Sequence, residues 1–345
     1  MTAADNGEEP TPPLVAVITP VYNGAAHIAG CVASVRAQDH QDWVHVVVDN
    51  ASTDDTARIV ERLAAEDQRV RLVRFDEHLS MLGSWNRAMH QVPEGAAFVK
   101  HLGADDRMTP DCLRRMLDAA ADPRVAMVAA RWREGSIVAP TRPVPDPFRV
   151  SGREAMRSWL LGGPDTFGTP SACLYRTGAL DGIDALYPPE DWPPNHPEGE
   201  PGPSTDKIGY ADILERGAFV FLPQVLTYDT DNAGAQSSVA ERMRLQVPGD
   251  LDALLIVGHR FLDPDELRRR VTSVTAWYAR SLAKAVLLGR PVREPAFAGL
   301  HHHILEHIDG RLRAGGFRTA RALLAPHRLV FRAAHARAGR RPAGR

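Results

Sequence analysis

The sequence predicts an α/β fold, a mostly parallel sheet flanked by helices, and two observations support this. Short apolar runs alternate with segments of helical periodicity over the first 235 residues, an order that produces parallel strands. From about residue 240 onward only the helical periodicity continues. We therefore expect a disordered leader over residues 1–12, an α/β domain over 13–235, and a helical C-terminal extension with a basic tail over 236–345.

The predicted strands are runs of four to six residues that end at proline, glycine or a polar cluster. In chain order they are Leu14–Thr19, Val44–Val48, Val70–Phe75, Ala97–Leu102, Val125–Ala130, Pro170–Tyr175, Ala218–Leu222 and Val225–Tyr228. The predicted helices have apolar residues three or four positions apart, and Ser151 and Glu154 form a capping box at the start of one. They include Ala25–Ala37, Thr56–Leu63, Gly83–Val92, Leu113–Leu117, Ser151–Leu160, Thr205–Arg216, Leu251–Phe261, Pro264–Leu288 and Phe297–Ile308.

Composition argues against several classes of protein. The 345 residues carry 41 Lys and Arg against 43 Asp and Glu, so the net charge of -2 gives no basis for a nucleic-acid partner. Cys31, Cys112 and Cys173 are too far apart in sequence for a metal knuckle or a disulfide framework. The N-terminus has no signal-peptide pattern, and no run of about 18 apolar residues occurs. We therefore expect a cytoplasmic location.

An acidic pair follows the fourth predicted strand. Asp105 and Asp106 follow Gly103 and Ala104, at the end of the strand where open α/β sheets bind their ligands. Two adjacent carboxylates repel each other unless a cation or a proton intervenes, so the pair predicts a hard divalent metal. A turn leading to the helix start at Thr109–Asp111 would explain one of the acids equally well.

Three motifs, in this order and spacing, are similar to those of the family 2 glycosyltransferases of the GT-A fold. They are Pro20–Asn23 after the first strand, Asp49–Thr56 after the second and Ala104–Asp106 after the fourth. The resemblance covers about residues 13–232 and implies a Rossmann-like GT-A domain. It also implies a nucleotide-sugar donor, usually a UDP-sugar, a Mn²⁺ or Mg²⁺ cofactor, and a single displacement that inverts the anomeric centre.

The resemblance assigns donor-site roles to individual residues. Thr19, Pro20 and Tyr22 would line a uridine pocket, and Asp49 would accept a hydrogen bond from the base. The remaining donor-site positions are Asp54, Arg87, Ala104 and Asp105.

The metal positions implied by the resemblance are Asp105 and Asp106, with Asp231 where the family commonly has histidine. The sequence departs from the fuller acidic motif at Gly103, which stands in place of an aspartate. Even one carboxylate can hold such an ion when diphosphate oxygens and water complete its coordination.

Two acids compete for the general base that takes the proton of the acceptor hydroxyl. Asp191 lies in a Glu-Asp pair like that of the family, but two prolines follow and prevent the expected helix. Asp206 is followed by a helix and two strands in the family's order. We favour Asp206, although an aspartate there could also act as a helix N-cap.

These motifs favour transfer of a sugar from a nucleotide-sugar to a hydroxyl of a small-molecule, glycan or lipid-linked acceptor. The departures from the family pattern at Gly103 and Asp231 motivate an alternative. In that alternative the chain is a catalytically silent subunit that binds the nucleotide-sugar or acts as a scaffold.

The last segment, Arg311–Arg345, contains ten arginines and no acid. Apolar residues interleave with these arginines, as in helices that lie on anionic membranes, so one hypothesis is weak peripheral contact with the inner membrane surface. The alternative is a helix whose apolar side packs on the protein, and the interruption at Pro326 favours it.

Overall fold

A computed structural model describes residues 12–140, 142–144, 148–187, 204–229 and 242–338. The strands are β1 (Val15–Val21), β2 (Trp43–Asn50), β3 (Val70–Phe75), β4 (Phe98–His101), β5 (Asp106–Met108), β6 (Val125–Glu134), β7 (Ile137–Ala139), β8 (Phe148–Ser151), β9 (Cys173–Arg176) and β10 (Ala218–Asp229). The helices are α1 (Ile28–Arg36), α2 (Thr56–Glu66), α3 (Met81–Met89), α4 (Cys112–Ala119), α5 (Gly152–Leu160), α6 (Thr205–Leu214), α7 (Gln246–Phe261), α8 (Pro264–Leu287), α9 (Arg290–Arg293), α10 (Pro295–Ala314) and α11 (Arg318–Ala338). Asp191, Asp231, residues 1–11 of the predicted leader and the tail beyond residue 338 lie outside the described residues.

These strands form one mixed sheet in the order β3-β2-β1-β4-β9-β6-β10-β5, with β7 beside β6 and β8 beside β10. The first four strands in this order are parallel, as expected. The other pairs are antiparallel except β6 with β10. The α/β class is therefore confirmed, whereas the expectation of a mostly parallel sheet holds only for this first half. Antiparallel strands such as β7, which follows β6 through a two-residue turn, need no helical crossover and leave no trace in the strand–helix alternation.

One long strand replaces the last two predicted strands. β10 runs along β6, and its register shifts between Leu222 and Val225. Pro223 lies in this interval, and proline has no N–H to contribute to a strand ladder. The interruption that suggested two strands is therefore an irregularity within one.

Helices cover the sheet. The helices that follow β10, α7 to α11, are called the helical region, and they share the core of the sheet. β1 and β2 are buried along their whole length, which is typical of central parallel strands covered on both faces. One cluster of buried side chains joins Ile18 and Val46 of the sheet to Leu251, Phe297 and Phe331 of the helical region. The helical region therefore packs on the sheet through a continuous apolar core.

The final helix, α11, is tied to α10 by ion pairs. Arg328 binds Glu306 and Asp309 at N–O distances of 2.6 and 2.8 Å, and Arg332 binds Glu306 at 2.8 Å. The acids that balance these arginines come from the preceding helix, which the composition of the tail alone did not reveal. These contacts, with the burial of Phe331, support the packing alternative for this segment.

Candidate functional site

The loops after β1 and β2 are joined by side-chain hydrogen bonds. Asn23 Oδ1 accepts from the N–H of Thr53 at 2.8 Å, and the N–H of Asn23 donates to Ser52 Oγ at 2.9 Å. Asn23 and Ala51 have left-handed backbone conformations, with φ of 52° and 62°. The polar clusters that follow the two strands therefore form one rim at the carboxyl edge of the sheet.

Asp49 lies at the end of β2 and is fully buried. Its Oδ1 accepts from the N–H of Ser52 at 3.1 Å, and its Oδ2 lies 3.5 Å from Arg74 Nε. No described residue forms a hydrogen bond with Oδ2. A buried acceptor without a hydrogen bond is costly, so this oxygen is suited to accept one from a ligand.

Asp54 joins the same two loops. Its carboxylate accepts from the N–H of Ala25 at 3.1 Å and from the N–H of Thr56 at 3.0 Å. Although desolvation acts in the opposite direction, these hydrogen bonds hold the pKa of Asp54 below its ordinary value. Asp54 is therefore ionised and occupied by protein donors, which supports a role in shaping the rim.

Arg87 acts on the rim through Asn50. Its guanidinium donates to Asn50 Oδ1 and to the carbonyl of Glu77, and it stacks over Phe75 with 4.0 Å to the ring centroid. Asn50 in turn donates to the carbonyl of Leu79 at 2.7 Å. Arg87 thus orders the segment that follows β3.

Two of the three residues predicted to line the uridine pocket are buried. Thr19 Oγ1 is 2.9 Å from His45 Nε2 inside the core, and Pro20 is buried beside it. Tyr22 is 48% exposed, and its ring contacts the ring of His78 with centroids 4.2 Å apart. A ligand at this rim would meet the Tyr22 ring but not Thr19, which is fully buried.

The predicted acidic pair spans the junction of a turn and a strand, because Asp105 lies in the turn after β4 and Asp106 is the first residue of β5. Ser171 Oγ accepts from the N–H of Gly103 at 2.8 Å and donates to Asp106 Oδ2. A Cβ atom at Gly103 would lie 2.6 Å from that same oxygen, so the present arrangement leaves no room for a side chain there. We call Asp105, Asp106 and Ser171 the turn cluster.

The turn cluster adjoins the loop that carries the first motif. A Cβ atom at Gly24 would lie 3.6 Å from the Cβ atom of Ala104. The rim and the turn cluster are therefore parts of one surface at the ends of β1, β2 and β4.

The turn cluster offers a divalent metal two carboxylates. Oxygen ligands of this kind suit Mn²⁺ or Mg²⁺. Within the described ranges, no group of three or more His, Cys, Asp or Glu side chains is arranged to hold a metal. Asp105 and Asp106 fit an ion that is completed by substrate and water oxygens, and Asp231 lies outside the described residues.

Two polar residues of β4 were not predicted as site residues. Lys100 is fully buried and donates to the carbonyls of Ser171 and Cys173, and burial lowers its pKa. His101 Nδ1 is 2.6 Å from the hydroxyl of Tyr187, and burial, followed by the charge of Lys100, lowers the pKa of His101 to about 3. The sequence indicates these two residues only by placing a lysine and a histidine in an otherwise apolar strand.

Asp206 lies in the first turn of α6, in a cluster that the sequence did not reveal. Lys207 Nζ is 2.9 Å from Asp206 Oδ2 and 3.3 Å from Asp165 Oδ2, and it donates to the carbonyl of Gly168 at 3.0 Å. We call Asp165, Asp206 and Lys207 the helix cluster. Burial raises the pKa of Asp206, and the adjacent ammonium opposes that rise. Burial would lower the pKa of Lys207, but the two carboxylates raise it.

The helical region contacts the start of α6. Asp250 Oδ1 on α7 accepts from Ser204 Oγ at 2.6 Å and from Gln246 Nε2 at 2.8 Å. Ser204 directly precedes α6 in a left-handed conformation, with φ of 73°. Asp250 therefore fixes the helix end that carries Asp206.

Residues 165–173 connect the two clusters. This segment supplies Asp165 and the carbonyl of Gly168 to the helix cluster, and Ser171 to the turn cluster. The sequence predicted a strand from Pro170 onward, whereas the structure has a 3-10 turn at Pro170–Ala172 and begins the strand at Cys173. The other candidate base, Asp191, lies outside the described residues.

Comparison with known proteins gives a family match. Residues 16–183 match the sequence model of the family described as "Glycosyl transferase family 2". The chain is 35% identical over 111 residues to the succinoglycan biosynthesis protein ExoO of Rhizobium meliloti, covering 31% of this chain and 30% of that protein. It is 32% identical over 106 residues to chondroitin synthase of Escherichia coli, covering 31% of this chain and 15% of that protein. The matched stretches therefore span less than a third of these relatives.

Solved structures share the fold over most of the chain. TarS 1-349 of S. aureus has a TM-score of 0.56 at 17% identity and covers 92% of both chains, and it is also known with UDP and with UDP-GlcNAc. The mannosyltransferase PcManGT of Pyrobaculum calidifontis, in complex with GDP-Man and Mn²⁺, has a TM-score of 0.54 at 18% identity, covering 91% of this chain and 86% of that one. The predicted GT-A fold is confirmed. None of the described helices is long and apolar enough to cross a membrane.

Proposed function

We propose that this chain, whose residues 16–183 match glycosyl transferase family 2, transfers a sugar from a UDP-sugar to an acceptor hydroxyl with inversion and with the help of a divalent metal. The observation that carries the proposal is the shared rim at the ends of β1, β2 and β4. There the buried Asp49 Oδ2 has no hydrogen bond from a described residue, and the turn cluster lies beside the same loops. A nucleoside diphosphate needs both features, an acceptor for its base and a cation site for its phosphates.

The donor would lie along this rim. Asp49 would accept from the base, Tyr22 would contact it through its exposed ring, and Asp54 and Arg87 would hold the surrounding loops in place. Structural neighbours bound to UDP, UDP-GlcNAc and GDP-Man support a nucleotide-sugar as the donor class.

Asp105 and Asp106 would hold Mn²⁺ or Mg²⁺ with the diphosphate. Such an ion stabilises the charge that develops on the departing diphosphate. Ser171 would hold the Asp106 carboxylate in position, because its hydroxyl donates to Oδ2 and is itself fixed by the N–H of Gly103. The neighbour bound to Mn²⁺ supports a metal of this kind.

Asp206 would take the proton from the acceptor hydroxyl. A base must be ionised to accept a proton, and Lys207 at 2.9 Å favours the ionised carboxylate against its burial. A single attack by the acceptor oxygen, on the face opposite the leaving diphosphate, inverts the anomeric centre. The acceptor would be a small molecule, a glycan or a lipid-linked hydroxyl compound.

The test is nucleoside diphosphate release from a panel of UDP-sugars and GDP-mannose, with Mn²⁺ and with EDTA. We expect release from one UDP-sugar, dependent on metal and lost in Asp206→Asn. The matched control is Asp212→Asn, on the same helix in an ion pair with Arg260. Nucleotide binding without release from any donor would contradict transfer and favour the alternative of a silent nucleotide-sugar-binding subunit.

A further inference from the structure

A cleft of about 500 Å³ opens in the helical region, between α8 and the start of α11. Its lining includes three arginines, Arg268, Arg269 and Arg318, together with three hydroxyl side chains and no acid. This volume is within the range of small-molecule sites. None of the residues assigned above to donor, metal or base lines this cleft.

The arginines of the cleft have fewer carboxylate partners than two other arginines of α11. Arg269 and Arg318 have no carboxylate partner in the part of the chain that the structure describes, and Arg268 pairs only with the exposed Asp265. Further along α11, Arg321 and Arg328 both bind the buried Asp309. Positive charge therefore remains at the cleft, where a solute can reach it.

Backbone donors add to this charge. Gly316 has a left-handed conformation, with φ of 71°, and α11 starts two residues later. Thr319 and Ala320 line the cleft, and their N–H groups have no acceptor among the described residues. The positive end of the helix dipole lies at the same place.

We propose that this cleft binds a phosphate group carried on a larger molecule, such as a sugar phosphate or a phosphodiester. Arginine forks, hydroxyls and first-turn N–H groups together match a tetrahedral oxyanion. The cleft has more room than a free phosphate ion needs, and Phe317 supplies an apolar wall for the rest of the ligand. A phosphorylated glycan and an anionic lipid headgroup both carry this chemistry.

The experiment uses the full chain and the double variant Arg269→Gln/Arg318→Gln. The control is Arg280→Gln, an exposed arginine of α8 that does not line the cleft. Glucose 1-phosphate and glycerol phosphate are titrated at low salt with ³¹P NMR detection, and vesicles of phosphatidylglycerol or phosphatidylcholine are tested by co-sedimentation. Thermal unfolding confirms that each variant is folded.

We expect the double variant to lose roughly tenfold or more in affinity for the soluble phosphates or the anionic vesicles, while the control retains it. Loss in the soluble arm identifies a free phosphorylated ligand, and loss in the vesicle arm identifies a lipid headgroup. Equal binding by the double variant and the control in both arms, or no binding by the wild type, overturns the proposal. The result does not depend on the proposed transfer reaction, because donor turnover should be the same in all three proteins.

Discussion

The turn cluster and the helix cluster both contain two aspartates, but they are built differently. Asp105 and Asp106 are adjacent in sequence and partly exposed, one in the turn after β4 and the other at the start of β5. Asp165 and Asp206 come from distant parts of the chain, and Lys207 lies between their carboxylates. The first arrangement presents oxygen atoms to an incoming cation, whereas the second fixes the protonation of a carboxylate with a cation of its own.

In the proposed reaction, this difference would correspond to separate roles in metal binding and proton transfer. A carboxylate that is to bind a metal must be accessible to it, and one that is to accept a proton must remain ionised while partly desolvated. Three substitutions test this separation, beginning with the largest expected effect on transfer.

Asp106→Asn should nearly abolish transfer, by roughly a thousandfold, because it removes a carboxylate expected to hold the metal at the developing charge. Folding should be retained, since Asp106 is a partly exposed residue at the start of an edge strand. Transfer rate as a function of Mn²⁺ concentration is the measurement, with the exposed surface acid Asp118→Asn as control. An unchanged Mn²⁺ dependence in Asp106→Asn would remove the turn cluster from the metal site.

Asp206→Asn should lose about a hundredfold or more in transfer rate while it retains donor binding. The amide preserves the shape of the side chain but cannot take a proton. UDP binding by calorimetry, alongside the rate, separates the two effects. A rate within about threefold of the wild type would move the base to Asp191.

Lys207→Met should shift the pH dependence of transfer. Removal of the ammonium leaves burial unopposed, so the pKa of Asp206 rises further and the acidic limb of the rate profile moves to higher pH. The rate should therefore fall most at low pH and recover as the pH increases. The exposed Lys284→Met serves as control, and superimposable profiles for the two variants would show that Lys207 does not tune the base.

The sequence singled out Asp105 and Asp106 because they lie close to the end of a predicted strand, but it did not single out Ser171, which is 65 positions from Asp106. Asp49 was found for the same reason. The sequence did not predict Asp165 as a neighbour of the Asp206–Lys207 pair, because tertiary packing brings together residues about 40 positions apart. The inward orientation of Thr19 was also missed, since its hydrogen bond to His45 depends on the pairing of β1 with β2.

Strand direction was predictable only where a helix connects the strands. The parallel half of the sheet follows from strand–helix alternation, but β5 and β7 are three-residue strands that the hydrophobic pattern does not reveal. Asp106 therefore begins a strand, paired in register with Asp229, instead of lying in a turn alone.

A third group of charges, far from both clusters in sequence, consists of Glu306 and its partners Arg328 and Arg332 in the helical region. We expect this group to affect stability but not transfer. Hydrogen bonds from Arg328 and Arg332 lower the pKa of Glu306 to about 2, although burial partly opposes this decrease. A folded-state pKa below the unfolded value contributes stability above about pH 4.5, and that contribution disappears as the pH falls toward 2. Because the pair is partly exposed, Glu306→Gln should lower the free energy of unfolding by only about 1 kcal/mol at pH 7.

Denaturant unfolding at pH 7 and near pH 2 measures this difference, with the exposed Glu61→Gln as control. The transfer rate of Glu306→Gln should equal that of the wild type, because the side chain binds only arginines of α11. A transfer defect without loss of stability would contradict this separation, since it would mean that the charges of the helical region act on the reaction itself. Loss of stability alone would place Glu306 with the groups that hold α11 on the core.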